Sequence, residues 1–193
     1  MKTSMALALL SGGLPACTGE TGELRINSVR SAQTEVPAAG LSVSRALIEV
    51  SEIEIEGGTE ADEREASMGE GAIDVALGGE PTTVAVDSVE AGSYHTLGIE
   101  IKKITVEGTR DGNAFTFTSE IEPEVEFRTD PEVDVPAKGS ASVGISFRVD
   151  EWFRDEAGNA LDPSDRANQG AIEKAILGSM AADGEIEDES DDD

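Results

Sequence analysis

Four oxygen-bearing side chains fall close together late in the chain: Asp155, Asn159, Asp162 and Asp165. Oxygen donors at that density suit one chemistry above others. A calcium ion takes six to eight oxygens from carboxylates, amide carbonyls and water, and these four residues would supply part of such a shell. The EF-hand run of alternating acids with a closing Glu is absent, so no known calcium loop is matched. The stretch Asp155-Glu156-Ala157-Gly158-Asn159 also has the composition of an ordinary surface turn. Calcium is thus an option for this loop, and no other cofactor is expected.

Catalysis through histidine or cysteine is nearly excluded by number, because the 193 residues hold one of each. His95 shares its parity with Leu97 and Ile99, which predicts a structural place at the start of a buried strand face. Zinc sites usually draw on several His or Cys ligands, and His95 with Cys17 cannot supply them. No nucleophile elbow, phosphate loop or dinucleotide fingerprint is present. Carboxylates are numerous enough for a paired-acid hydrolase, but numerous enough also to make any chosen pair uninformative. The expectation is a protein that is not an enzyme.

Asp and Glu outnumber Lys and Arg 41 to 14, a formal net charge of −27. Phosphate binding needs clustered cations, so nucleic acid is excluded as a partner, and electrostatic attraction to anionic lipid headgroups with it. Such acidity gives solubility and self-repulsion; it also suits a salty habitat, divalent cations or a basic partner. Aromatic residues make up only 4% of the chain, which argues against a sugar-stacking cleft and requires a core built from Val, Ile, Leu and Ala.

Cys17 ends a short apolar run near the N-terminus. Lys2, then Met5-Ala6-Leu7-Ala8-Leu9-Leu10, then Leu14-Pro15-Ala16-Cys17, resembles a bacterial lipoprotein signal, with Leu three residues before the Cys and a small residue just before it. The resemblance implies a signal peptide over 1–16, cleavage before Cys17 and lipid attachment at its thiol. It makes the partner at this end a membrane, reached through the lipid. A plain secretory signal is the alternative. The run is far shorter than the roughly 20 apolar residues a spanning helix needs. Thr18 after the Cys, in place of the Asp of inner-membrane retention, favours an outer-membrane address, with the periplasmic or exterior face left open.

The rest divides into a polar tether over 17–22, a β-rich domain over 23–182 and an acidic tail over 183–193 that is predicted to be disordered by its own charge. Alternation marks strands at 23–29, from Leu41, at Thr82–Val86, over Leu97–Val106 and over Val143–Val149. Ile48 and Val50 have one parity, Ile53 and Ile55 the other, and this slip at Ser51 predicts a β-bulge. A second slip falls at Lys102-Lys103. Gly57-Gly58 reads as a strand end, and Thr59–Gly71 as an exposed loop. Asp111-Gly112 is a hairpin signal. Ile172, Ala175, Ile176 and Met180 recur at three and four, predicting an amphipathic helix over about 167–182. Trp152 and Phe153 are adjacent. On an extended chain they point opposite ways, one into the core and one outward as a partner contact; the alternative packs both beneath the helix.

Residues 41–182 resemble an uncharacterised family of bacterial lipoproteins with an immunoglobulin-like or transthyretin-like β-sandwich. The likeness rests on Ile73-Asp74-Val75-Ala76-Leu77, Val89-Glu90-Ala91-Gly92-Ser93-Tyr94, Val106-Glu107-Gly108, Trp152-Phe153-Arg154-Asp155, Gly158-Asn159 and Leu161-Asp162-Pro163 before the helix. It implies a fold and an envelope location but no activity. The function expected is a non-catalytic, lipid-anchored binding or structural module, an accessory with an envelope protein partner on the outer face of a membrane assembly. The alternative is a calcium-dependent binding or adhesive module built on the Asp155–Asp165 loop.

Overall fold

A computed structural model describes residues 19–29, 35–36, 40–59, 62–78 and 80–185. The expected signal peptide, Cys17 and tail residues 186–193 lie outside them. In chain order the elements are β1 (Thr21–Ser28), β2 (Glu35–Val36), β3 (Leu41–Thr59), β4 (Asp62–Met68), β5 (Gly71–Asp74), β6 (Thr82–Glu90), β7 (Gly92–Arg110), β8 (Asn113–Ser119), β9 (Glu124–Val135) and β10 (Ser140–Phe147). Two 3-10 turns (Val149–Glu151, Arg166–Asn168), the helix α1 (Gln169–Gly178) and β11 (Met180–Glu185) complete the described chain.

The fold is mainly β, with two sheets and one C-terminal helix. One sheet has four strands in the order β11-β10-β1-β6, with β1 and β10 parallel. The other is built on β3 and β7, each 19 residues long and antiparallel to the other. Shorter strands flank this spine: β2, β5 and β4 along β3, and β8 and β9 along β7. Leu24, Ile26, Val143 and Ile145 of the first sheet meet Ile48, Ile53, Leu97, Ile99 and Ile104 of the second in a single core. Each such side chain removed from water contributes about 1.5–3 kcal/mol, which is how a chain poor in aromatics stays folded.

Both phase slips are bulges. Val50 faces Ile101 and Glu52 faces Glu100, leaving Ser51 unpaired; Glu49 faces Lys103, leaving Lys102 unpaired. The extra residues restore an inward aspect to Ile48, Val50, Ile53 and Ile55, all buried. Asp111 and Gly112 form a two-residue turn with φ of 50° and 80°, the left-handed pair whose twist suits a tight hairpin.

Five expectations are corrected. Gly57-Gly58 does not end β3, which continues to Thr59; a Cβ at Gly57 would lie 2.1 Å from the Ser93 carbonyl oxygen, so this glycine serves a close approach of β7. Thr59–Gly71 is not a loop, since Asp62–Met68 pairs with Ile53–Thr59. Glu63 and Glu65 sit on the solvent-facing side, while Arg64, on the side of Met68, is paired with Asp62 and Glu90, and the backbone is left free to pair. The helix expected to reach residue 182 stops at Gly178. Ser179 closes it, its hydroxyl donating to the Ile176 carbonyl at 2.7 Å, and Met180, which shares the helical spacing by coincidence, begins β11. The disorder expected from 183 fails for Asp183–Glu185, whose backbone pairs with Ser142–Gly144. Edge pairing uses backbone groups, which side-chain charge does not remove. The domain also starts earlier than expected, as Thr21 and Gly22 of the expected tether belong to β1.

Tyr94 fixes the crossing from β6 to β7, where the chain leaves one sheet for the other. Its ring is fully buried and its hydroxyl donates to the Glu90 carbonyl at 2.8 Å. Burial pushes the hydroxyl pKa up, with the Arg64 charge opposing.

Candidate functional site

Residues 149–168 fold over one end of the sandwich, held there by two aromatic plugs. After Phe147 the chain tightens into the Val149–Glu151 turn, and Trp152 continues it with φ −58° and ψ −34°. On such a turn neighbouring side chains need not oppose each other, and Trp152 and Phe153 are both fully buried. Their reading as an exposed partner contact is therefore overturned in favour of packing beneath the helix. Trp152 meets Phe147 edge-on at 6.1 Å, and Phe153 meets Phe115 at 5.5 Å. The Trp152 indole N–H donates to the Ser179 hydroxyl at 2.6 Å, tying the turn to the end of α1. Ile172 and Ile176 pack α1 into the same core.

The four oxygen donors project from this scaffold, each engaged locally. Asp155 accepts backbone N–H bonds from Ala157 at 3.0 Å and Asn159 at 2.7 Å through one oxygen, and the Asn159 side-chain amide at 2.8 Å through the other. The Asn159 amides, first of all, with Ala157 and Gly158, hold its carboxyl below the ordinary carboxylate range. Asp162 accepts from Ser164 N–H at 2.9 Å and forms an ion pair with Arg110 at 2.5 Å. The Ser164 bond first, and then Arg110, lower its pKa too. Asp165 accepts from Ala167 N–H at 2.9 Å and caps the second 3-10 turn.

Only Asp155 and Asn159 are thus brought together; Asp162 and Asp165 each close a turn of their own. Among the described residues no three His, Cys, Asp or Glu side chains form a group able to hold a metal. Of the set read from the sequence as a calcium site, Asp155, Asp162 and Asp165 accept local backbone N–H groups, and Asp162 also pairs with Arg110.

Beside this loop lies a surface groove of about 910 Å³, lined by Arg154, Ala157 and Gly158 on one side and by Gly170, Ala171 and Ala175 of α1 on the other. Lys174 crosses it to Glu156 at 2.6 Å. That bond lowers the Glu156 pKa and raises that of Lys174.

His95 does not continue the buried face of Leu97. It is the unpaired residue where Glu56 faces Thr96 and Gly57 faces Tyr94, so Tyr94 rather than His95 turns inward. Its ring is half-buried and its Nδ1 lies 3.0 Å from the Thr96 hydroxyl.

Register also assembles a carboxylate surface that reading by motif missed. On the outer face of the long sheet Glu52 faces Glu100, Glu100 faces Glu124, and Glu56 faces Glu65. Glu54 lies among them. Desolvation first, then the charges of Glu52, Glu65, Glu124 and Glu56, raise its pKa. The run Glu52-Ile53-Glu54-Ile55-Glu56 carried the signal for this face, since alternation places all three acids on one side.

No family model, curated protein or solved structure matches the chain. Among the described residues no helix is long and apolar enough to cross a membrane.

Proposed function

We propose that this is an exported envelope protein, lipidated at Cys17, whose domain is a non-catalytic binding or structural module, an accessory to a protein partner on the outer face of a membrane assembly. The observation that carries the reading is the apolar run ending in Leu14-Pro15-Ala16-Cys17. Support comes from the start of β1 at Thr21, which would hold the sandwich within a few residues of the lipid, a span of about 10–15 Å for an extended tether. A matured lipoprotein cysteine would carry several acyl chains, and durable anchoring takes more than one.

The non-catalytic part draws support from how the polar side chains are used: Asp155, Asp162 and Asp165 close turns, and Ser179 satisfies a buried indole. The immunoglobulin-like or transthyretin-like assignment belongs to the same proposal. The Tyr94 hydroxyl bond to Glu90, made where the chain changes sheets, is a device that immunoglobulin-like sandwiches share.

Intact mass of protein extracted from membranes tests the anchor. The expected mass is that of residues 17–193 plus acyl chains, and a mature mass without them overturns it. Native capture of partners with the anchored form tests the module.

A further inference from the structure

We infer that the free edge of β6 is a docking edge that takes an extended, basic segment of a partner protein as an added strand. This names the partner chemistry of the binding-module reading and rests on it only for the existence of a partner.

The four-stranded sheet ends at β6, which makes ladder bonds with β1 alone; β5 and β4 approach only its two ends, where the Thr82 hydroxyl donates to the Asp74 carbonyl at 3.1 Å and Arg64 meets Glu90 at 3.9 Å. Backbone directions along β6 follow from β1. Glu23 N–H donates across to Gly139 beside β10, and Val29 N–H to Ile145 of β10, so odd residues of β1 look toward β10 and even ones toward β6. Leu24 and Ile26 therefore bond Asp87 and Ala85, their register partners. Val86, between those two, and Ser88, just beyond Asp87, direct their backbone groups away from the sheet. Ser88 N–H is taken by the Asp87 carboxylate at 2.7 Å, which leaves Val86 as the middle of the open edge.

Proteins guard sheet edges with short strands, charges, bulges or cover, and strands flanking the long sheet carry the first two of these devices. β2 has 2 residues and β5 has 4. β4 carries Asp62, Glu63, Arg64 and Glu65, while β9 alternates Glu124, Glu126, Arg128, Asp130, Glu132 and Asp134. Pro163–Arg166 and Thr116–Thr118 of β8 face each other across a shallow pocket. Thr82-Thr83-Val84-Ala85-Val86 is five uncharged residues, four of them Thr or Val with high strand propensity, and a register shift at Val84 is the one irregularity of its pairing with β1. Val86 is 50% exposed, the one large apolar side chain so placed among the described residues.

Strand addition supplies affinity through backbone bonds and specificity through alternate side chains. Charge selects the occupant. Glu80, Asp87 and Glu90 flank the edge and are exposed, and a second copy would bring a second charge of −27. A basic extended segment meets both the edge and the field around it.

Hydrogen–deuterium exchange on the purified full chain, with and without a short peptide alternating lysine and valine, tests the edge. Slowed exchange confined to 82–88, weakened by added salt, is expected. Val86→Pro removes the outward N–H without touching the β1 ladder and should weaken peptide binding by about tenfold, the worth of one ladder hydrogen bond. Val86→Lys keeps that N–H and should weaken binding through charge, and thermal melts verify that both variants fold. Protection elsewhere, no protection, or a dimer through β6 in light scattering would overturn the proposal. Partner capture that survives Val86→Pro would also overturn the edge while leaving the binding-module reading intact.

Discussion

Two acidic regions of this molecule use the same side chains in opposite ways. In the loop from Asp155 to Asp165 each carboxylate receives backbone N–H groups or a cation, and the pKa values of Asp155 and Asp162 fall. On the outer face of the long sheet Glu52, Glu100 and Glu124 face one another across the strands, and the pKa of Glu54 rises. A carboxylate that closes a turn stabilises the fold as an anion, whereas one held among other carboxylates is better protonated. The difference shows why acidity alone identifies no site in such a chain. What each acid faces decides what it does, and that is fixed by register and turn geometry.

Both regions stand on the apolar frame, which sets the scale for comparing them. Ile145 is fully buried in β10, and Ile145→Ala should lower stability by about 2–5 kcal/mol in denaturant melts. A single carboxylate change of equal size in either region would break the view that the acids trim a fold held by its core. Ser179→Ala comes next. It strips the partner from the buried Trp152 indole beneath the acidic loop, at about 1–3 kcal/mol for an unsatisfied buried donor. A red shift in Trp152 emission should accompany the loss, because the Ser179 bond holds the indole in its dry pocket.

Much of the fold was legible because periodicity reports burial. The clean alternation of Val143, Ile145 and Phe147 gave β10, and the parity slips at Ser51 and Lys102 gave two of the four register shifts between β3 and β7. Legibility failed where backbone pairing outweighed composition. Asp62–Met68 is charged enough to look like a loop, yet strand pairing asks only for free backbone groups, with each charge either in solvent, as Glu63 and Glu65 are, or paired, as Arg64 is. Trp152 and Phe153 were ambiguous because the opposed directions of neighbours hold on extended chain and not on a 3-10 turn. The Asp155–Asp165 cluster showed donor types but could not show their partners. Arg110, which pairs with Asp162, is far away in sequence and is brought near only by the β7–β8 hairpin.

Asp162→Ala sharpens the contrast on the loop side. It removes the Ser164 turn bond and the Arg110 ion pair together, so the melting temperature should fall by a few degrees. The loss should be the same with millimolar calcium as with chelator. Heat of calcium binding in wild type that vanishes in Asp162→Ala would show that the loop rearranges around an ion, and the turn-closing account would fail. The sign with pH is fixed by the lowered pKa: this contribution is present above the unfolded carboxylate pKa and is lost as pH falls through the lower folded value.

The smallest effect is expected on the sheet face, with the opposite sign. Glu54→Gln keeps the shape and hydrogen-bonding capacity of the side chain while removing one charge from among Glu52, Glu56, Glu65 and Glu124. At neutral pH and low salt it should stabilise by roughly a few tenths of a kcal/mol, the size of a like-charge contact relieved across strands. Because the folded pKa of Glu54 is raised, its favourable contribution is present below the unfolded pKa and is lost as pH rises through the folded one. The gain from Glu54→Gln should therefore be largest at neutral pH and shrink as pH falls through the raised folded pKa of Glu54, where the wild-type side chain takes up its own proton. Added salt should shrink it too, since charges on an exposed face are screened within about 10 Å at 0.1 M. Melting curves of the two proteins at two pH values and two salt concentrations decide the matter. A stability difference unchanged by both would locate the effect in packing, and a loss of stability at neutral pH would show that Glu54 has a favourable partner and that the face is not governed by repulsion.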